Sequence, residues 1–338
     1  MEISKLCSPW SLGRSSGSRL FKFFAVSLVI ASVLGTSGCS SARKRPAPGT
    51  EGSQELGPPQ PYGPEVTAHP TESEYGPSFN KSRPVVLVFG PGLARGFSYA
   101  GVIKGLREAN VQIGAIVATE MGALVASLYG FSQSVNDFEW MLQKFKEKSF
   151  TDRSLFRDHS GESNGKRLYE TLESVIGKKD MKESRIPVKI LVLKPDLGMI
   201  QEGNAAQSVR SAMSVPGFFS AYNWGSQTMT SSAMVRPFPI SEAKLLGLGP
   251  VIVVDVMGAS DPATQASSEQ RATLLRMIEV VRSAQGELKD ADLLLEPDMN
   301  GIGYLDFGKR TEAIFRGKAA VTSKLPEIKQ LIGGSGPS

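Results

Sequence analysis

Cysteine, histidine and long hydrophobic runs are all scarce in this chain of 338 residues. The only cysteines are Cys7 and Cys39, and the only histidines are His69 and His159. Beyond residue 39, therefore, the chain can form no internal disulfide, no Cys/His zinc site and no cysteine nucleophile. A domain without disulfides also loses nothing in an oxidising compartment. His159 lies in a polar stretch, Asp152 to Asn164, that reads as a surface loop and offers a poor general base. Excess charge is scarce too. The formal net charge is +5, and the first 38 residues, with Lys5, Arg14, Arg19 and Lys22 against Glu2, carry +3 of it. The remaining +2 implies neither a nucleic-acid partner nor a strongly charged membrane surface.

What is present divides the chain into three parts. Residues 1–38 have the form of an export signal: a basic beginning, then an apolar run of thirteen from Phe23 to Gly35. That run is short of the roughly 20 residues a spanning helix needs. It ends Thr36-Ser37-Gly38-Cys39, similar to the lipobox of bacterial lipoproteins, although Thr36 stands where Leu is commoner. An ordinary secretory signal is the alternative; small residues and a Cys directly after the apolar core favour lipidation of Cys39. The expected address is the bacterial cell envelope, lipid-anchored, at the outer membrane or periplasmic face, with the membrane engaged through Cys39. Arg43-Lys44-Arg45 would touch anionic headgroups modestly. Residues 39–83 read as a Pro-rich flexible tether, with eight prolines from Pro46 to Pro77 and too few apolar residues for a core. Tyr62-Gly63-Pro64 and Tyr75-Gly76-Pro77 repeat a short phrase within it.

Residues 84–334 form one domain, large enough for a substantial core. Val85 to Phe89 is a β-branched strand run, followed by Gly90-Pro91-Gly92-Leu93-Ala94-Arg95-Gly96 and a helix to about Glu108. Strand, Gly-rich turn and helix leave backbone N–H groups free to favour anions. A second strand, Val111 to Val117, runs into Ala118-Thr119-Glu120-Met121-Gly122 and a helix opening on small residues. That is the outline of a nucleophile elbow with a carboxylate where a serine belongs. Further along, Ile186 to Leu193 and Pro250 to Val256 read as strands among helical patterns at Gly203 to Met213, Ile240 to Leu246 and Arg271 to Ser283. The alternation predicts an α/β fold with a mostly parallel sheet. Asp137 to Phe145 and Lys166 to Ile176 read as amphipathic helices with core-facing rather than membrane-inserting stripes.

The order of these motifs resembles the patatin-like phospholipase family over roughly residues 84–325. Besides the Gly-rich loop and the elbow, Val209-Arg210-Ser211-Ala212-Met213-Ser214-Val215-Pro216-Gly217-Phe218-Phe219 is similar to its R-A-S-x-S-I-P-G-x-F block. Ser231-Ser232-Ala233-Met234-Val235-Arg236-Pro237 stands where the family has D-G-G/A-x-x-N-P. The resemblance implies a three-layer α/β/α sandwich and, in active relatives, a Ser–Asp dyad cleaving acyl esters. Carried over residue by residue, the Ser position is Glu120 and the Asp position is Ser231, so no catalytic residue is retained. The oxyanion loop survives as a remnant in Gly90, Gly92, Leu93, Arg95 and Gly96, with Pro91 lacking an N–H. Ala118 and Gly122 flank the elbow, Ala118 in place of a glycine.

A carboxylate cannot attack a carbonyl and carry a stable acyl ester as a hydroxyl does. Glu120 is instead expected to be ionised and to occupy or border the former oxyanion hole, beside the Gly92 and Leu93 amides at a helix N-terminus. Ser98, Ser127, Ser211 and Ser214 lie near site-forming segments but on no elbow. Asp196, Glu202 and Asp255 have no spacing that supports a metal. No cofactor or metal is expected, and no nucleic acid. The function expected is that of an exported, lipid-anchored pseudoenzyme that binds a lipid or acyl chain or regulates a protein partner. The alternatives are a lipid acyl hydrolase with a non-standard nucleophile, and a bare structural tether.

Overall fold

A computed structural model describes residues 83–150, 162–258 and 266–333. The expected signal peptide, Cys39 and the tether up to residue 82 lie outside the described residues, as does His159. Residues 69–338 cluster as one compact unit.

The first βαβ unit is β1 (Val85–Phe89), a 3-10 turn (Leu93–Phe97), α1 (Ser98–Glu108) and β2 (Ile113–Ala118). Then come α2 (Glu120–Phe131), α3 (Val135–Lys144), the single turn α4 (Glu147–Phe150) and α5 (Lys166–Ile176). A hairpin of β3 (Val188–Lys194) and β4 (Asp196–Ile200) leads to α6 (Ala205–Ala212). A second hairpin, β5 (Tyr222–Trp224) and β6 (Gln227–Ser231), precedes α7 (Ile240–Lys244) and β7 (Val251–Val254). The chain closes with α8 (Ser268–Ser283), the turn α9 (Gln285–Leu288), β8 (Leu293–Leu295) and α10 (Arg310–Ile332).

The strands form one sheet in the order β5-β6-β3-β2-β1-β7-β8, with β4 also paired to β3. The central pairs β3/β2, β2/β1, β1/β7 and β7/β8 are parallel; only the hairpin side is antiparallel. Helices cover both faces, as the expected α/β class requires. Burial on both faces explains why β1 and β7 are unbroken apolar runs rather than alternating ones.

Element ends differ from the expectations for local reasons. β2 starts at Ile113 rather than Val111, because Asn110 takes a left-handed turn (φ 59°) and the Val111 amide still bonds Leu106 O. The first helix begins as a 3-10 turn, with Arg95 N bonded to Gly92 O at 3.0 Å. Ser134 caps α3 by accepting from Asp137 N, and Ser267 with Gln270 makes a capping box that starts α8 three residues before Arg271. The stripes of α3 and α5 bury Phe138, Met141 and Leu142, and Leu168, Leu172 and Ile176, in the core. α10, the longest helix described, carries no expectation from the sequence; Pro326 inside it breaks the usual pattern.

Candidate functional site

The site lies at the C-terminal ends of β1 and β2, which pair Phe89 with Ala118. Thr119 N bonds Phe89 O at 3.0 Å, and Thr119 Oγ1 donates to Pro237 O at 2.9 Å. These two bonds pin the turn from both sides. The next residue, Glu120, has φ +43° and opens the helix α2. A non-glycine residue in the left-handed region costs about 1–2 kcal/mol, a strain that clusters at functional turns. Gly122 is required two residues on: a Cβ there would meet Phe89 Cβ at 2.6 Å and Phe89 O at 2.7 Å. The backbone of an elbow is thus intact. Ala118 is simply the last, fully buried residue of β2.

Opposite the elbow, Gly90 to Gly96 turns from β1 into α1. Leu93 also has positive φ, 47°, which aims consecutive amides at one point. Glu120 Oε2 accepts from Gly92 N at 2.8 Å and from Leu93 N at 3.0 Å. Two convergent backbone donors on one oxygen are the geometry of an oxyanion hole. Here the oxygen belongs to the protein itself. Glu120 is 0% exposed, and its Oε1 is buried without a hydrogen-bond partner among the described residues.

Burial opposes the ionised form expected for Glu120 from the sequence. Burial raises its pKa above the ordinary carboxylate value; the amides of Leu93, Met121 and Gly92 pull it back without cancelling that effect. The physical reason is that no cation touches a fully desolvated carboxyl, and two or three amide dipoles replace less than its hydration.

Tyr99 holds the loop from behind. Its hydroxyl lies 3.0 Å from both Gly90 O and Pro91 O, and its ring stacks on Phe89 with centroids 4.6 Å apart. Burial, then Asp255 and Glu120, raise its pKa well above the ordinary value, so it stays a neutral donor. Asp255 follows β7 at the same end of the sheet. It is buried, Oδ1 accepts from Met257 N at 2.8 Å, and burial raises its pKa against the Met257 amide. Two buried carboxyls therefore flank one tyrosine.

The remaining candidates scatter. Arg95 belongs to the loop, but its side chain turns away: Nε donates to Ile302 O at 2.7 Å, Nη1 to Gly258 O at 3.1 Å, and the guanidinium lies 3.8 Å over Tyr304. Gly96 follows it as part of the turn. Ser231 ends β6 at 2% exposed; its Oγ accepts from Ala233 N at 3.3 Å, and Ser232 Oγ donates to Leu191 O. The two dyad positions share no hydrogen bond. Ser211 and Ser214 bond within or beside α6, to Gln207 O and Arg210 O. Asp196 is exposed and Glu202 pairs with Lys182 at 2.6 Å, far from any shared site with Glu120. Among the described residues no three His, Cys, Asp or Glu side chains group to hold a metal. Tyr99 carries no expectation from the sequence; a polar aromatic directly after the Gly-rich turn was the available signal.

The sequence profile described as patatin-like phospholipase matches residues 87–244. An uncharacterised NTE family protein of Mycobacterium tuberculosis is 22% identical over 222 residues, covering 63% of this chain and 60% of that protein. A second from the same organism is 22% identical over 298 residues, covering 79% and 51%. The lysophospholipase NTE1 of Candida albicans is 23% identical over 184 residues, 52% of this chain and 13% of that protein. The chain spans about 60% of the length of the first of these relatives. Among solved structures, VipD from Legionella pneumophila aligns with a TM-score of 0.47 at 11% identity, covering 73% of this chain and 67% of that one.

Proposed function

Residues 87–244 belong to the patatin-like phospholipase family, and from that premise we propose that this member does not hydrolyse esters but acts by binding. The observation that carries the reading is Glu120 Oε2 seated on the Gly92 and Leu93 amides. A tetrahedral intermediate needs those donors, and needs an attacking group on the elbow. Glu120 removes the attacking group and fills the donors with one side chain. Ser231 at the Asp position carries no charge to accept a proton, and the whole centre is sealed from solvent. Because the cradle is filled from within, a protein or lipid partner engages another surface of the domain, and regulation of that partner is the role.

Export and a lipid anchor at Cys39 complete the proposal. The basic beginning, the thirteen-residue apolar run and the small residues before Cys39 support them. No helix among the described residues is long and apolar enough to cross a membrane.

Fluorophosphonate labelling and short-chain ester hydrolysis test the reading on the purified protein. Neither labelling nor turnover is expected; a covalent adduct on any serine of the unaltered chain would overturn it. The paired change Glu120→Ser with Ser231→Asp is expected to restore measurable esterase activity, since the elbow backbone and two cradle amides remain in place.

A further inference from the structure

The opposite end of the parallel strands carries the most exposed leucine among the described residues. After α7 the chain turns through Leu245, Leu246, Gly247 and Leu248 before entering β7. Leu245 is 86% exposed and Leu248 is 40% exposed. The turn sits where the domain begins: Pro84 lies against Gly114 beside Leu248, and Gly249 lies against Pro84 O. Arg83 N bonds Ile332 O at the end of α10. This edge therefore joins the entry of the domain, the last turn of α10 and the two leucines.

Its unpaired charge is mainly positive. Arg83, Lys244 and Lys329 are exposed and make no ion pair among the described residues. Three glutamates of the neighbouring segments are engaged elsewhere. Glu108 pairs with Lys318 at 2.6 Å, Glu327 with Lys324 at 2.8 Å, and Glu242 with Arg236 at 3.4 Å. Two acids remain: Asp292, whose Oδ2 accepts from Val251 N at 2.7 Å, and exposed Asp290, next to the exposed cation Lys289. Exposed leucines beside an excess of unpaired cations match the interface of an anionic bilayer, where apolar side chains enter the acyl boundary and cations meet headgroups.

We propose that this edge, centred on Leu245 and Leu248 with Arg83, Lys244 and Lys329, docks the domain on an anionic lipid surface. The elbow then faces away from the bilayer, since Gly114 at the start of β2 and Glu120 just past its end are separated by the length of the strand. The inference is independent of acylation at Cys39 and of catalytic silence. Vesicle binding and ester hydrolysis therefore fail or succeed separately.

The test uses residues 69–338, the compact unit, which lacks the leader, Cys39 and the basic residues 43–45. Co-sedimentation is measured with vesicles of phosphatidylcholine alone and of phosphatidylcholine mixed with phosphatidylglycerol. Binding is expected only with the mixed vesicles and to weaken with salt. Lys244→Gln should reduce partitioning about five-fold, the effect of roughly one headgroup-facing charge. Leu245→Glu with Leu248→Glu should reduce it about ten-fold or more. Phe315→Glu is the control: Phe315 is 70% exposed but lies on α10 seventeen residues, about 25 Å of helix, from Ile332. It should leave partitioning within about two-fold. Unfolding midpoints confirm that each variant is folded. No preference for the mixed vesicles, or equal losses in the control and the leucine pair, would overturn the proposal. A vesicle-silent domain would point to a protein partner on this edge instead.

Discussion

The two ends of the parallel strands present opposite surfaces. At the C-terminal end Glu120, Leu93, Tyr99 and Ser231 are buried, and their polar atoms are turned onto backbone. At the N-terminal end Leu245 and Leu248 stand in solvent beside unpaired cations. Open α/β sheets bind ligands at the C-terminal end, in the crevice above the strands. Here that crevice is filled by the protein's own carboxyl. The contrast teaches that one sheet can bury its polar turn at one end while leaving apolar side chains in solvent at the other. The left-handed φ at Glu120, the glycine against Phe89 and the convergent amides are all arranged around a carboxyl.

If the buried end is rigid and the exposed end is only a surface, equal-sized changes should differ sharply in cost. Gly122→Val puts a branched side chain into Phe89, and the expected loss of stability is about 3 kcal/mol. Leu245→Ser removes a side chain already in water and should change stability by less than about 0.5 kcal/mol. Urea unfolding of the two variants compares them directly. Similar losses would mean that Leu245 is covered in solution, which would break the contrast.

The next largest effect is expected behind the cradle. Tyr99→Phe removes the donor shared by Gly90 O and Pro91 O, at a cost of about 1–2 kcal/mol. If Tyr99 positions the loop, amide exchange at Gly92 and Leu93 should accelerate more than exchange in α10. A uniform acceleration would assign Tyr99 a general packing role only. Smaller still is the strain at the elbow. Both Glu120→Ala and Glu120→Gly empty the cradle, but only glycine accepts φ +43° freely, so the glycine variant should be more stable by about 1 kcal/mol. Equal stability would show that the turn relaxes when the carboxyl leaves.

Much of this was legible in the residues. Val85 to Phe89 and the Gly-rich run announced the first strand and its turn, and the elbow spacing located Glu120 beside Gly92 and Leu93. Periodicity located α5 to its ends, because Leu168, Leu172 and Ile176 are spaced on one face. Three features were not legible. The short hairpin strands β4 to β6 owe their form to pairing with β3 and each other rather than to their own composition. Arg95 looked like a loop cation and proved a clip on Ile302 and Gly258, partners far along the chain that no local pattern reveals. The upward shift of the Glu120 pKa depends on how completely its surroundings exclude water, which spacing does not report.

That shift sets the smallest effect and the finest test. A carboxyl whose folded pKa is raised is bound more tightly to its proton in the fold than in the unfolded chain. Its contribution is full below the ordinary value, 4.5, and is lost as pH rises through the folded value. Asp255 has the same sign, so the wild type should lose stability with rising pH from both groups. Glu120→Gln keeps an acceptor for the Gly92 and Leu93 amides and removes one titration. The stability of wild type relative to this variant should therefore fall as pH rises from about 4, with a slope of at most about 1.4 kcal/mol per pH unit. A folded pKa drawn below 4.5 by the helix N-terminus and the cradle would give the opposite slope, with wild type gaining on the variant as pH rises through that range. The sign decides which influence dominates, because burial and amide donation act on the same carboxyl in opposite directions.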